Sequence, residues 1–268
     1  MNIRRWSVGV LAATLLVSGL TACKSDDPAP AGAGSAASAV PADPKEALIA
    51  STKEIEKGNF TFTISGSGVN GQGSVHKPSN SAQFTMKVDD GSGTTFGMEM
   101  IYVEPDSWVK MDLGELGAMI PGADKMKGKY QHLDQSKVKD GGELGLNMKD
   151  LDPAGTAVLA KGITEVEKTA EGSYAGKLDA SAVGDGSAAL DSDLVKALGA
   201  QAKALPFTAK VDAEGRLTEL VISVPAAGDN KAHDIKVSYA DYGKATTPQK
   251  PPADQVVEAP ASTYEMLK

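Results

Sequence analysis

The sequence predicts an α+β protein built on an antiparallel sheet, and three observations support this prediction. Several segments alternate apolar and polar residues with a period of two, which is typical of strands with one buried face. Turn sequences rich in Gly, Asp and Pro separate neighbouring segments, as in a meander of antiparallel strands. The few helical segments do not alternate with the strands in the rhythm of a parallel βαβ sheet.

Residues 1–22 carry the pattern of an export signal. Arg4 and Arg5 precede an apolar stretch from Trp6 to Leu20, which is shorter than the roughly 20 apolar residues that cross a bilayer. General secretion is favoured over the twin-arginine route, because Ile3 and Trp6 on either side of the arginine pair match that route poorly.

Cys23 is the single cysteine of the chain and ends the run Leu20-Thr21-Ala22-Cys23. This tetrad resembles the bacterial lipobox, which implies that the Cys23 thiol receives a diacylglyceryl group and becomes the first residue of the mature chain. An ordinary signal peptide with an idle cysteine is the alternative, but lipidation explains why an exported chain retains a thiol without a disulfide partner. Because each buried methylene adds about 0.8 kcal/mol, two or three acyl chains form a durable membrane anchor.

The composition of residues 23–44 predicts the lipidated cysteine followed by a flexible tether. Ala, Gly, Ser and Pro dominate this segment, and such a composition buries too little apolar surface to fold. About 21 flexible residues have a reach of roughly 25 Å. A single folded domain is expected over residues 45–268.

The first expected element is a helix with Asp43 as its N-cap, Pro44 in the first turn and its end at Gly58. Strand Phe60–Ser65 follows, with both phenylalanines and Ile64 on one face. Eight further strands are predicted: Ala82–Val88, Phe96–Tyr102, Trp108–Met111, Ile163–Thr169, Ser173–Asp179, Phe207–Val211, Leu217–Val224 and His233–Tyr242.

Two more short helices complete the prediction of about nine strands and three helices. One spans Asp152–Gly162 with Asp152 as its N-cap, and the other spans Asp191–Leu198. Gly114–Gly145 shows no regular pattern. The proline-rich tail Thr246–Pro260 is expected to lie extended over the surface.

The composition argues against several classes of function. A formal charge of −8 without basic blocks predicts no attraction to nucleic acid. Phosphate-binding, dinucleotide-binding, nucleophile-elbow and metal-ligand motifs do not occur, and His76, His132 and His233 read as solvated surface residues. We therefore expect no enzyme activity, metal or cofactor.

A cell-wall enzyme is the weakest alternative. Carboxylate pairs for glycoside hydrolysis meet only in the fold, so their spacing in the sequence does not decide the matter. An aromatic content of 5% disfavours a sugar platform.

Methionines are concentrated in one part of the chain. Seven of the eight that follow Met1 lie between Met86 and Met148, and methionine is frequent where a surface accepts varied apolar ligands. The alternation places eight residues on one apolar sheet face, part of which we expect to line an acyl-chain cavity: Phe60, Phe62, Ile64, Phe84, Met86, Phe96, Met98 and Met100. The alternative is that methionine fills gaps in a closed core.

One segment near the C-terminus resembles the closing strand of the actinobacterial LppX and LprG type lipoproteins. It is Tyr239-Ala240-Asp241-Tyr242-Gly243-Lys244, followed by Pro251-Pro252-Ala253-Asp254. The hairpin through Val211–Gly215 is similar too. The resemblance implies a half-barrel of antiparallel strands curled around helices, like the LolA and LolB lipoprotein carriers, with a cavity between sheet and helices for acyl chains.

The function that this resemblance implies is a lipid carrier at the outer face of the cytoplasmic membrane. It would bind an acylated lipid or lipoglycan, carry or display it, and have a lipid exporter as a partner. The alternative is an anchored interaction or sensory module that uses the same fold with a filled core. A carrier requires an apolar tunnel near the helices, whereas an interaction module requires a packed centre and an exposed patch.

Overall fold

The computed structural model describes residues 40–66, 68–89, 95–119, 123–134, 152–183, 190, 192–228 and 230–266. Its strands are β1 Asn59–Gly66, β2 Val69–His76, β3 Ser81–Asp89, β4 Thr95–Val103, β5 Asp106–Asp112, β6 Tyr130–Leu133, β7 Ile163–Ala170, β8 Ser173–Leu178, β9 Leu205–Val211, β10 Leu217–Val224, β11 His233–Ala240 and β12 Val256–Glu258. Its α-helices are α1 Pro44–Ser51, α2 Lys53–Glu56, α3 Ala123–Met126, α4 Thr156–Lys161, α5 Ser192–Leu198 and α6 Ala261–Met266. The 3-10 helices are Lys77–Ser79, Gly114–Met119, Ala180–Ala182, Gly199–Ala204 and Ala253–Gln255.

All strands in the described residues belong to one curved, unclosed sheet. Their order is β12-β6-β5-β4-β3-β2-β1-β11-β10-β9-β8-β7. Every neighbouring pair is antiparallel except β6 and β12, which run parallel. The predicted α+β class with an antiparallel sheet is confirmed.

The predicted count of nine strands and three helices is too low, because β2, β6, β12, α3 and α6 were not predicted. Strand β2 contains Gly71 and Gly73 at the positions where the alternation requires apolar side chains. Gly73 pairs with Phe62 on one side and Phe84 on the other. The two phenylalanine rings stack with centroids 5.9 Å apart, and a Cβ atom on Gly73 would lie 2.7 Å from the Phe62 ring. The neighbouring strands therefore supply the apolar cover that β2 lacks.

The first helix begins as predicted and is interrupted later. The Asp43 side chain accepts a hydrogen bond from the Glu46 amide at 2.9 Å, and Gly58 has a φ of +65° after the helical segment, a conformation that glycine adopts readily. The predicted single helix is divided into α1 and α2 at Thr52.

The predicted N-cap of α4 is wrong. Gly155 occupies that position, and Asp152 lies three residues earlier. The Asp152 side chain still accepts a hydrogen bond from the Ala157 amide at 2.6 Å. The carboxylate therefore satisfies a free amide of the first turn from outside the helix.

The sheet has two faces, which we name by their residues. The inner face carries Phe60, Phe62 and the residues paired with them on the same side, and the outer face carries Thr61, Thr63 and their partners. Helices α1, α2, α4 and α5 contribute to the largest apolar cluster on the inner face, together with residues of β1 and β8–β11. A second inner cluster contains Met98, Val109 and Leu133.

The C-terminal tail runs from the outer face to the edge of the sheet, where its strand β12 pairs with β6. The Ala245 amide donates to the Asn59 side chain at 3.0 Å, and Lys250 contacts Asp106 at 2.7 Å. Beyond β12, the Thr263 hydroxyl donates to the buried Gln131 side chain, which lies on the inner face. The part of the tail that precedes β12 therefore crosses one face, and α6 packs on the other.

None of the helices in the described ranges is long and apolar enough to cross a membrane.

Candidate functional site

The inner face divides into two regions that differ in how their apolar side chains are covered. The helix-covered half consists of the inner face of β1 and β8–β11 beneath α1 and α4. The methionine half consists of the inner face of β3–β6. Phe84 packs against the apolar clusters of both halves.

The helix-covered half is closely packed. Leu48, Leu159 and Phe207 surround a void of about 20 Å³, which is space for about one water molecule. Phe60 and Ile222 of the same apolar cluster are fully buried. The cavity that the family resemblance implies between sheet and helices is too small here to hold an acyl chain.

A buried polar network lies within this packed half. The Tyr239 hydroxyl donates to Asp152 Oδ1 at 2.9 Å and lies 2.7 Å from the Thr156 hydroxyl. Burial, with the nearby Asp152 charge, raises the pKa of Tyr239 well above its usual value. The phenol therefore stays protonated and ties α4 and the segment before it to strand β11.

The methionine half borders a pocket of about 440 Å³, which we call the methionine groove. Its apolar lining residues are Met111, Leu113, Ala118, Ala123 and Met126, with Lys127 and Gln131 among its polar ones. Ligand pockets in proteins usually span about 300–1,000 Å³. The methionine groove therefore has the size of a small-molecule site and a mainly aliphatic wall.

The end of β5 positions the wall of this groove. Met111 pairs with Met98 across β4 and β5, so both side chains lie on the inner face. The chain then turns at Gly114, whose φ is +51° and whose added Cβ would lie 2.5 Å from the Thr95 carbonyl oxygen. Glycine is required there, and the turn leads into the 3-10 helix Gly114–Met119, which lines the groove at Gly117 and Ala118.

The structure brings all eight predicted cavity residues onto the inner face. Phe84 pairs with Met100, and Met86 pairs with Met98. Phe60 and Phe62 belong to the packed cluster, and Ile64 packs against it. Met98 is a buried member of the second cluster, and Met86 and Phe96 pack against that cluster.

None of these eight residues lines the methionine groove itself. Met86 and Met98 line a neighbouring pocket of about 320 Å³, which shares Met111, Asp112 and Lys127 with the groove. Met100 is buried. The predicted face therefore exists as one surface, but most of it is covered by other side chains.

The groove residues themselves were not predicted. The alternation that predicted strand Trp108–Met111 continues to Leu113, so it could have identified Met111 and Leu113. Ala118, Ala123 and Met126 lie in a segment without periodicity, and only its high methionine content marks it. Cys23, the export signal, residues 23–39 of the tether and Met148 lie outside the described residues.

A charged cluster lies on the outer face of β4–β6. The Tyr130 hydroxyl donates to Glu99 Oε1 at 2.5 Å, and Lys110 Nζ lies 2.6 Å from Glu99 Oε2. Burial opposes ionisation of Glu99, but the hydrogen bonds from Lys110 and Tyr130 outweigh it and hold the pKa of this carboxyl below its ordinary value. Burial and Glu99 together raise the pKa of Tyr130. An ionised Glu99 and a neutral Tyr130 form a stable contact rather than an acid and base prepared for proton transfer.

His132 is not the solvated surface residue that the sequence predicted. Its Nε2 lies 3.1 Å from Asp106 Oδ1, and its Nδ1 lies 3.3 Å from Glu258 Oε1. The hydrogen bond from Lys250 and then that from His132 lower the pKa of Asp106. These contacts connect β5 and β6 with the tail, so we assign them to holding the tail in place.

The side chains of the other two histidines hydrogen-bond to residues two or three positions away in the sequence. His76 Nδ1 lies 2.6 Å from the Ser79 hydroxyl. His233 Nδ1 lies 2.8 Å from the Lys231 carbonyl oxygen, and its Nε2 is buried without a hydrogen-bond partner.

In the part of the chain that the structure describes, no group of three His, Cys, Asp or Glu side chains is placed to hold a metal ion. Comparison with protein-family models and with curated proteins finds no match to this chain.

Proposed function

We propose that this protein is an exported, non-enzymatic lipoprotein that binds an acylated lipid or lipoglycan in the methionine groove and carries or displays it. The diacylglyceryl group on Cys23 anchors it to the outer face of the cytoplasmic membrane, and a lipid exporter is its proposed partner. The observation that supports the binding function is the groove of about 440 Å³ with five apolar lining residues.

The physical basis of binding is burial of the acyl chain. Each methylene that leaves water contributes about 0.8 kcal/mol, so an aliphatic groove can extract a chain that is poorly soluble. Met111 and Met126 supply flexible side chains that adapt to ligands of different shape. Asp112, Lys127 and Gln131 give the groove polar groups as well, which can orient a lipid with a polar head.

A half-barrel like that of the LppX, LprG, LolA and LolB proteins is part of this proposal. The unclosed antiparallel sheet and the helices on its inner face support it. The ligand position differs from the one that the resemblance implies. The proposed site lies beside β5 and the 3-10 helix Gly114–Met119, because the space beneath α1 and α4 is nearly filled.

An anchored interaction or sensory module is the second candidate function. The observation that favours it is the void of only about 20 Å³ beneath α1 and α4, since a packed centre is what such a module requires. Under this alternative the methionine groove would hold no lipid.

Native mass spectrometry of the mature lipoprotein, extracted from membranes with a mild detergent, tests the proposal. Bound lipid appears as added mass beyond that of the anchor. The groove variant is Ala118→Trp, because an indole at this exposed lining position would fill the groove. The matched control is Ala200→Trp, which changes another exposed alanine in a 3-10 helix.

We expect a lipid adduct on the wild-type protein and on Ala200→Trp, and its loss from Ala118→Trp. If no form carries an adduct, even after incubation with palmitic acid, the interaction module replaces the carrier. If all three forms carry the same adduct, the ligand lies elsewhere and the groove assignment is wrong.

A further inference from the structure

The outer face of β1–β3 presents a surface of uncharged polar side chains. Cross-strand pairing aligns them in two rows, one of Thr61, Ser74 and Gln83, the other of Thr63, Gln72 and Thr85. Charged residues make up 23% of the whole chain. All six side chains of these two rows are neutral hydroxyls or amides. This surface is therefore less charged than the chain as a whole.

This surface forms the floor of a pocket of about 310 Å³, which we call the outer pocket. Phe62 and Gly73 of the strands and Thr246 of the C-terminal tail also line it. The tail is fixed on both sides of Thr246, by the hydrogen bond from the Ala245 amide to Asn59 and by the ion pair between Lys250 and Asp106. The outer pocket is therefore an open depression on the sheet, bordered at Thr246 by a chain segment that is held in place.

Ser74 gives independent evidence that points to a ligand. Its side chain is only 4% exposed, and its hydroxyl oxygen has no hydrogen-bond partner. Most buried hydroxyls in proteins are hydrogen-bonded, and leaving one unsatisfied lowers the stability of the fold. Ser74 lines the outer pocket, so a ligand seated there lies beside a buried hydroxyl that lacks a hydrogen bond.

We propose that the outer pocket binds a neutral sugar unit of a glycan. Hydroxyl and amide groups both donate and accept hydrogen bonds, so they match the hydroxyl groups of a sugar. The six strand residues and Thr246 carry no formal charge, and the Thr61 hydroxyl donates to the Asp241 carboxylate at 2.8 Å. Both features favour a neutral ligand over a phosphate or a carboxylate. The site lies on the opposite face from the groove-lining side chains Met111 and Gln131, so it goes beyond the proposed lipid binding.

Phe62 is the aromatic residue among those that line the outer pocket, and its ring is buried in the apolar cluster on the inner face, so a sugar ring could not stack on it. The affinity of the outer pocket for one sugar unit is therefore expected to be weak, with a dissociation constant of about 1 mM. Saturation-transfer NMR detects binding in this range. The probes are maltohexaose, cellohexaose and mannohexaose, with hyaluronan hexasaccharide as the anionic comparison, and the full mature lipoprotein is kept in a detergent without a sugar headgroup.

The blocking variant is Thr63→Trp, because Thr63 is an exposed pocket residue and an indole there would fill the space. The matched control is Thr208→Trp, which changes an exposed threonine on the outer face of β9. We expect transfer to at least one neutral hexasaccharide for the wild type and for Thr208→Trp. The transfer should be absent for Thr63→Trp and for hyaluronan with every form.

Ser74→Ala separates a binding role from a structural one. Removing an unsatisfied buried hydroxyl should raise the melting temperature by about 2–4 °C, while the loss of one hydrogen bond to the sugar should weaken binding about fivefold. The assignment is overturned if no neutral hexasaccharide shows transfer to the wild type, or if Thr63→Trp or Ser74→Ala binds as well as the wild type. None of these results depends on whether the methionine groove holds a lipid.

Discussion

The two halves of the inner face use the same alternation of apolar residues and reach different packing. In the helix-covered half, Phe60 and Ile222 are fully buried beneath short helices. In the methionine half, Met98 is buried, but Met86, Phe96 and Met111 around it remain partly exposed. The period of the strands therefore determines which face a side chain occupies, and the segments that cover that face determine whether it becomes a core or a groove.

The kind of side chain differs in the same way. Aromatic and branched residues in the helix-covered half have few rotamers and fill a fixed shape. Methionine is unbranched and adapts its shape to what it contacts. A surface of methionines can therefore remain a competent binding site without one fixed packing arrangement.

The largest expected effect comes from a truncation in the helix-covered half. Phe60→Ala removes a fully buried ring that contacts Phe62, Tyr239 and Tyr242, so the free energy of unfolding should fall by about 3–5 kcal/mol. Met111→Ala in the groove wall should lower it by about 1 kcal/mol, since Met111 is only half-buried. Equilibrium unfolding in guanidinium chloride measures both values. Equal losses would contradict the contrast between a packed and an open half.

The boundary between the halves provides a second test. Gly73→Ala would place a Cβ atom 2.3 Å from the Gln83 carbonyl oxygen and 2.7 Å from the Phe62 ring, and overpacking of this kind costs about 1–3 kcal/mol. In the matched change Gly97→Ala the nearest atom to the added Cβ is the Asp112 Cβ, at 3.3 Å, and this change should cost less than about 1 kcal/mol. Both values can be read from urea denaturation. A Gly73→Ala variant as stable as Gly97→Ala would show that the stacked Phe62 and Phe84 do not fix this boundary.

The buried polar network tests how α4 is held in the helix-covered half. Tyr239→Phe removes the hydroxyl that contacts Asp152 and Thr156, and leaving buried partners unsatisfied should lower the free energy of unfolding by about 2 kcal/mol. In hydrogen-exchange measurements, Tyr239→Phe should accelerate amide exchange more in α4 than in β4, relative to the wild type. Uniform acceleration across both elements would mean that the network supports the whole fold rather than α4.

The smallest expected effect concerns the tail contacts at Asp106. Lys250 and His132 lower the pKa of Asp106 below its ordinary value of 3.8, so its contribution to stability is present above pH 3.8 and is lost as the pH falls through the lowered value. Because this side chain is partly exposed and screened by solvent, the contribution should be below about 1 kcal/mol. Thermal unfolding at pH 6 and pH 3 should show a smaller acid-induced loss for Asp106→Asn than for the wild type. A loss of the same size in both proteins would contradict the role of the ionised carboxylate.

Several elements could be predicted from the sequence because each contains its own signal. Phe60–Ser65 and the strands of the last third alternate within a few residues, and Asp43 with Pro44 and Glu46 marks a helix start. Strands β6 and β12 lack such a signal, because they pair residues that are far apart in the sequence, such as Tyr130 with Val256. A contact over that sequence distance leaves no local pattern.

For a similar reason the sequence predicted the apolar face beside the candidate site but not the residues that line the site. The alternation correctly placed Met86, Met98 and Met100 on one face with the phenylalanines. It gave no information on which part of that face the helices cover, since the covering depends on how Gly114–Met119 and α4 pack in three dimensions. The groove residues Ala118 and Ala123 have no distinctive chemistry and become visible only in the folded chain.

The location of the bound acyl chain tests the central claim most directly. A palmitic acid analogue with a diazirine near its methyl end is bound to the mature lipoprotein, irradiated, and traced by peptide mass spectrometry. Cross-links should fall in residues 111–126 and should be competed away by unlabelled palmitic acid. Competable cross-links at Leu48–Thr52 or Thr156–Leu159, or none at all, would contradict a lipid site in the methionine groove.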